Sequence, residues 1–185
     1  MSLFGDGLDA AVQKAFTRPV PKSAPAQMRY LVKQFKSTRA VAQMLRISQR
    51  TVERYVKDQI KKPRPDLAAR LEREVKKRWQ PQIRAQARKK AATTGGIVID
   101  TRARIGYTAP IGTTDEDRIR HLTVALPPRY AARLFDAQEQ GASDQQLQRI
   151  AAEALKEMYF QDNGRRAGSL EEIRFTDIEH REFDL

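Results

Sequence analysis

Residues 38–57, Thr38-Arg-Ala-Val-Ala-Gln-Met-Leu-Arg-Ile-Ser-Gln-Arg-Thr-Val-Glu-Arg-Tyr-Val-Lys57, constrain the fold more than any other stretch of the chain. Val41, Ala42 and Leu45 make one short apolar face at helical spacing. Ile47 follows a break, and Val52, Tyr55 and Val56 make a second face. Ala42 is small where two helices would cross, and Ser48 is a ready N-cap for the second. The turn residue before Ile47 often needs positive φ and is commonly Gly; Arg46 in that place costs on the order of 1 kcal/mol. This is the pattern of a helix-turn-helix. Its second helix turns Gln49, Arg50, Thr51, Glu53 and Arg54 outward, where a recognition helix meets base edges and phosphates. An ordinary three-helix core with a charged face fits the same spacing.

Charge separates the two halves. The chain of 185 residues carries a net +12, and residues 1–100 hold 23 Lys and Arg against 8 Asp and Glu. Residues 101–185 hold 12 against 15. A basic half that displaces counterions from a nucleic-acid backbone binds in a strongly salt-dependent way. The near-neutral half reads as a folding, catalytic or protein-contact module. With no Cys there is no disulfide framework, thiolate chemistry or Cys-based zinc site, and His121 and His180 alone make a histidine metal site a poor expectation. No apolar run is long enough for a bilayer span, and Met1-Ser-Leu-Phe-Gly-Asp lacks the regions of a signal peptide. The expectation is an intracellular chain without a membrane partner.

The expected fold is mostly α with a C-terminal α+β part, divided as a basic domain over residues 1–92 and a small α+β domain over 93–185. Asp6 starts a short helix, and Arg18-Pro-Val-Pro-Lys-Ser-Ala-Pro25 breaks it. A helix from Ala26 roofs the helix-turn-helix. Asp66 caps another, with Leu67, Leu71, Val75 and Trp79 at four-residue steps. Residues 82–92 form a basic helical arm, read either as a solvated face or as a track along phosphates. The DNA-binding set is therefore Arg46, Ser48, Gln49, Arg50, Thr51, Arg54, Lys57, Lys61 and Lys62, with Arg84, Arg88, Lys89 and Lys90 in the arm. After Thr93-Thr-Gly-Gly96 the period shortens. Strands are expected over 97–108, 118–126 and 173–185, with helices from Pro127 and from Ser143 or Asp144. Arg102 and Arg104 could guide a single strand or simply be a solvated strand face.

The most reactive-looking stretch is Thr113-Thr114-Asp115-Glu116-Asp117, expected on a turn-rich connection. Carboxylates hold Mg²⁺, which neutralises incoming phosphates, and an adjacent carboxylate helps to deprotonate a hydroxyl. Thr114-x-x-Asp117 also fits a plain helix cap or turn. There is no phosphate-binding glycine loop.

The whole chain resembles the terminal proteins that protect the telomeres of linear Streptomyces chromosomes and plasmids. The likeness runs from Met1-Ser-Leu-Phe-Gly-Asp-Gly-Leu through Arg50-Thr-Val-Glu-Arg-Tyr-Val to Gly106-Tyr-Thr-Ala-Pro-Ile-Gly-Thr-Thr-Asp-Glu-Asp and Asp177-Ile-Glu-His-Arg-Glu-Phe. The resemblance implies a protein joined covalently to the DNA 5′ end through a hydroxyl that primes end-patching synthesis, with Thr114 as acceptor; Tyr107 is a second possible acceptor on its residue type alone. It implies telomeric DNA, a telomere-associated protein and a DNA polymerase as partners, and a place in the nucleoid at chromosome ends. Asp115, Glu116 and Asp117 would be the catalytic carboxylates, with Asp115 and Asp117 on Mg²⁺. Whether they or a polymerase transfer the nucleotide stays open, as does self-association. A helix-turn-helix transcriptional regulator with a dimerising C-terminal half is the alternative.

Overall fold

The computed structural model describes residues 3–108, 114–160 and 172–185, with backbone alone at Leu3, 106–108, 114–118, 172–174, 176 and 177. Eight α-helices and three strands occur among the described residues, so the chain is mostly helical with a small antiparallel sheet toward its C-terminal end. It divides into two compact units, residues 17–81 and residues 1–16 with 82–185. This corrects the boundary expected after residue 92. The first helix and the basic 82–92 stretch both fold with the sheet, through contacts between positions far apart in sequence.

The basic unit, 17–81, contains α2 (Ala24–Phe35), α3 (Thr38–Leu45), α4 (Gln49–Val56) and α5 (Pro65–Arg78). Ser23, Ser37 and Ser48 cap the first three, each accepting from a backbone N–H of the first turn. At α5 the cap is Arg64 with Pro65 following, so Asp66 lies in the first turn instead of at the cap. Met28, Leu31, Val41, Leu45, Val52, Tyr55, Leu71 and Val75 bury one common core. Trp79 packs on Tyr30 with ring centroids 4.8 Å apart and donates its indole N–H to Arg18 O. It is a packing residue, as its spacing suggests. No glycine lies within 17–81. The left-handed turns that end α2, α3 and α4 fall on Lys36, Arg46 and Asp58.

The mixed unit has the sheet order β2-β1-β3, from β1 (Ile97–Thr108), β2 (Thr114–Leu126) and β3 (Glu172–Asp184). The inner face of β1 is Ile97, Ile99, Thr101, Ala103 and Ile105, all buried. Against its Ile97–Ile99 end pack α1 (Leu3–Lys14), α7 (Pro128–Glu139) and α8 (Asp144–Leu155), through Phe4, Leu8, Val12, Leu134, Phe135, Leu147 and Leu155, while Ala103 and Ile105 form a smaller cluster with Leu122. Strand alternation accounts for this face, with Leu122 and Leu126 on β2 and Phe183 on β3 supplying the neighbours. Two glycines are sterically required. A Cβ at Gly96, φ 72°, would stand 2.2 Å from Leu126 O, and one at Gly7 would meet the Phe183 ring at 2.9 Å. α1 is tied in by Asp144, whose Oδ1 accepts from Phe4 N–H at 2.5 Å and Gly5 N–H at 3.4 Å. The chain enters β1 from α6 (Pro81–Lys90) through a π-helical turn over Ala91–Gly95.

Candidate nucleic-acid interface

The basic unit concentrates the charge. Residues 17–81 hold 18 Lys and Arg against 5 Asp and Glu, a balance of +13, while the mixed unit holds 17 against 18, a balance of −1. The whole formal excess of the chain thus sits on the unit built from four helices.

Within that unit α3 and α4 meet through a tight turn. Arg46 adopts φ 55° and ψ 48°; its N–H donates to Gln43 O and that of Ile47 to Ala42 O, satisfying two end carbonyls of α3. Ser48 Oγ then accepts from Thr51 N–H at 3.1 Å and shares a hydrogen bond with Thr51 Oγ1 at 2.8 Å. Both hydroxyls therefore serve the helix start. Val52 and Tyr55 are buried, and burial pushes the Tyr55 phenol above its ordinary pKa. The opposite side of α4 carries Arg50, Arg54 and Lys57, all exposed, with Lys61 and Lys62 exposed just beyond. Gln49 behaves differently from a free surface amide. Its Nε2 donates to Thr38 Oγ1 at 3.1 Å and to Glu53 Oε1 at 3.0 Å. The i,i+4 spacing of Gln49 and Glu53 was the available sequence signal for that contact; the Thr38 bond joins two helices and had none.

The arm over 82–92 is corrected in part. Arg84 is 11% exposed and pairs with Asp9 at 2.8 Å; Arg88 is 18% exposed and pairs with Glu139 at 2.6 Å and Asp9 at 3.5 Å. Arg88 also lies over the Phe135 ring and donates to Gln138. These two guanidinium groups hold α1 and α7 to α6 and are not laid out for phosphates. Lys89 and Lys90 are exposed.

The acidic-threonine segment is also placed differently. Thr114 begins β2, pairing with Thr108, and Asp115 pairs with Tyr107. Between Ile105/Arg118 and Tyr107/Asp115 the register shifts, so that Glu116 and Asp117 together face the single residue Gly106: a β-bulge. Thr114, Asp115, Glu116 and Asp117 are thus strand residues at the hairpin end instead of loop or helix-cap residues. Pairing with β1 overrides their weak strand propensity. Thr113 and the 109–113 connection lie outside the described residues, as does the Asn163–Gly168 stretch.

Beyond these, the outer sheet face gathers both histidines onto one carboxylate. His121 Nε2 lies 3.0 Å and His180 Nε2 3.5 Å from Asp100 Oδ1, and Thr123 donates to Asp100 Oδ2 at 2.5 Å. The Thr123 hydrogen bond first, then that of His121, holds the Asp100 carboxyl below its ordinary range. Arg102, on the same face, pairs with Glu179 at 2.8 Å, and Arg104 is likewise engaged, which favours the solvated-face reading of both. Among the described residues no group of His, Asp or Glu is placed to hold a metal ion, and no helix is long and apolar enough to cross a membrane. Comparison of the chain with protein-family models, with curated proteins and with solved structures finds no match.

Proposed function

We propose that the chain is a DNA-end protein of the terminal-protein kind: its basic unit binds duplex DNA through a helix-turn-helix made by α3 and α4, and its mixed unit presents Thr114 as the hydroxyl to which a nucleotide is joined. One observation carries the duplex-binding half. The excess of +13 lies on residues 17–81, and the solvent side of α4 offers Arg50, Arg54 and Lys57 to a polyanion. The left-handed Arg46 supports it, since this is the turn that sets one helix across another with so few connecting residues. Telomeric DNA is the substrate that the resemblance supplies, with a telomere-associated protein and a DNA polymerase as partners.

The priming half rests on Thr114 and its neighbours. Thr114 Oγ attacks the α-phosphorus of a deoxynucleoside triphosphate, the P–O bond to pyrophosphate breaks, and the hydroxyl proton passes to a carboxylate or to solvent. The position at a hairpin end, beside a bulge, suits a segment that must enter a polymerase site. Asp115, Glu116 and Asp117 are the hard oxygen donors that a Mg²⁺ ion prefers, and Asp115 and Asp117 are the residues we assign to hold it. Bound there, the ion would spread the charge of the triphosphate. The threonine alkoxide is a poor leaving group from phosphorus, so the attachment persists at neutral pH, as end protection requires.

The test is covalency. DNA isolated with this protein should stay with it through detergent and heat, be freed by protease, and be released by mild alkali through β-elimination at threonine. DNA lost under detergent alone would make the chain a reversible DNA-binding protein, the regulator alternative.

A further inference from the structure

We propose that Glu53 selects a cytosine in the target duplex, and that Gln49 and Thr38 hold its carboxylate ready for that task. This rests on the reading of α4 as a helix that enters the major groove. Val52 and Tyr55 are buried, so Arg50, Glu53, Arg54 and Lys57 fall toward the opposite side of the helix. Glu53 is the one anion on α4. An anion carried toward a polyanion opposes binding unless it meets a donor, and the donors of the major groove are the exocyclic amines of cytosine and adenine.

The hydrogen bonds of Gln49 decide between these. Its amide nitrogen gives both hydrogens away, one to Thr38 Oγ1 at 3.1 Å and one to Glu53 Oε1 at 3.0 Å. Gln49 therefore has no N–H left to offer a base, and it cannot make the paired donor-and-acceptor contact by which an amide reads adenine. The Glu53 carboxylate is steadied through Oε1 and keeps Oε2 as an acceptor. Adenine sets its N7 acceptor beside its amine, which a carboxylate repels; cytosine presents its amine without such a neighbour. The paired guanine offers O6 and N7, the acceptors that suit Arg50 or Arg54 on either side. The ligand class is a C·G pair in duplex DNA. Gln49 becomes a positioning residue instead of a base contact.

Selection of duplexes from a randomised pool by the full chain tests this, with the wild type beside Glu53→Ala, Glu53→Gln and Gln49→Ala. The wild type should enrich a site with one C preferred over T about tenfold or more, the factor that one good side-chain–base contact supplies. Glu53→Ala should enrich the same site with that single position degenerate, while holding random duplex at least as tightly. Glu53→Gln should let adenine in at that position, and Gln49→Ala should loosen it without touching the others. A merely structural glutamate would weaken every position together. An unchanged preference in Glu53→Ala overturns the proposal and leaves duplex recognition standing. A wild type that enriches nothing removes both.

Discussion

Arg46 occupies a conformation that an L-residue with a Cβ adopts at a cost, and Lys36 and Asp58 do the same in a unit that contains no glycine. Replacing Arg46 by Gly should relieve the left-handed strain, offset by the larger entropy of an unfolded glycine. The net gain should be about 0.5–1 kcal/mol, read as a higher denaturant midpoint. Duplex affinity should fall, because the substitution removes a cation beside α4. A variant that is less stable would show that Arg46 makes interactions worth more than its strain. Asp100 supports a second prediction. Its folded pKa is lowered by Thr123 and His121, so the stabilisation it provides is present above the unfolded carboxylate pKa and is lost as pH falls through the lower folded value. Asp100→Asn should therefore unfold more easily than the wild type at neutral pH, and the two curves should converge as the pH drops below about 4. A gap that is constant across that range would assign the effect to packing.

At the level of elements, α1 belongs to the sheet-containing unit although the basic unit follows it in sequence. Phe4, Leu8 and Val12 are buried in that core, and Asp144 accepts from the Phe4 and Gly5 N–H groups. Leu8→Ala should cost about 2–5 kcal/mol, as large-to-small changes in a packed core do. Hydrogen exchange should place that loss in β1, α7 and α8 while amides of α2 to α5 keep their protection. A loss spread evenly over both units would contradict the division. The same packing explains why the boundary was not readable from sequence. Arg84 pairs with Asp9 across 75 positions, and Arg88 with Glu139 across 51. Local periodicity recognises α6 as basic and helical but carries no information on its partner. By contrast, the apolar spacing of α3 and α4, the Ser48 cap and the alternation of β1 were legible, because each is a local pattern.

Over the whole molecule, the two units divide the chemistry. One holds the net charge; the other, near neutral, holds the acidic-threonine segment. Removing charge from the basic unit should therefore flatten the salt dependence of duplex binding, with the slope of log K against log salt becoming shallower by about 0.9 for each phosphate no longer neutralised. Arg54→Ala should show that change, and Arg88→Ala, whose guanidinium is held by Asp9 and Glu139, should not. The candidate site was legible in part. Residue types announced Thr114 and the three acids, but Thr-Asp-Glu-Asp has the composition of a turn, and only pairing with β1 draws it into a strand.

The proposed nucleotide acceptance by Thr114 can be tested on a single peptide. Protein taken from producing cells, treated exhaustively with nuclease and then trypsin, yields a peptide between Arg104 and Arg118 that contains Tyr107, Thr108, Thr113 and Thr114. Mass spectrometry of that peptide should find a deoxynucleotide on Thr114. The adduct should be absent in Thr114→Val, which keeps the shape without the hydroxyl, and reduced in Thr114→Ser. An unmodified peptide, or an adduct on Tyr107 or Thr113 with Thr114 bare, would refute Thr114 as the acceptor.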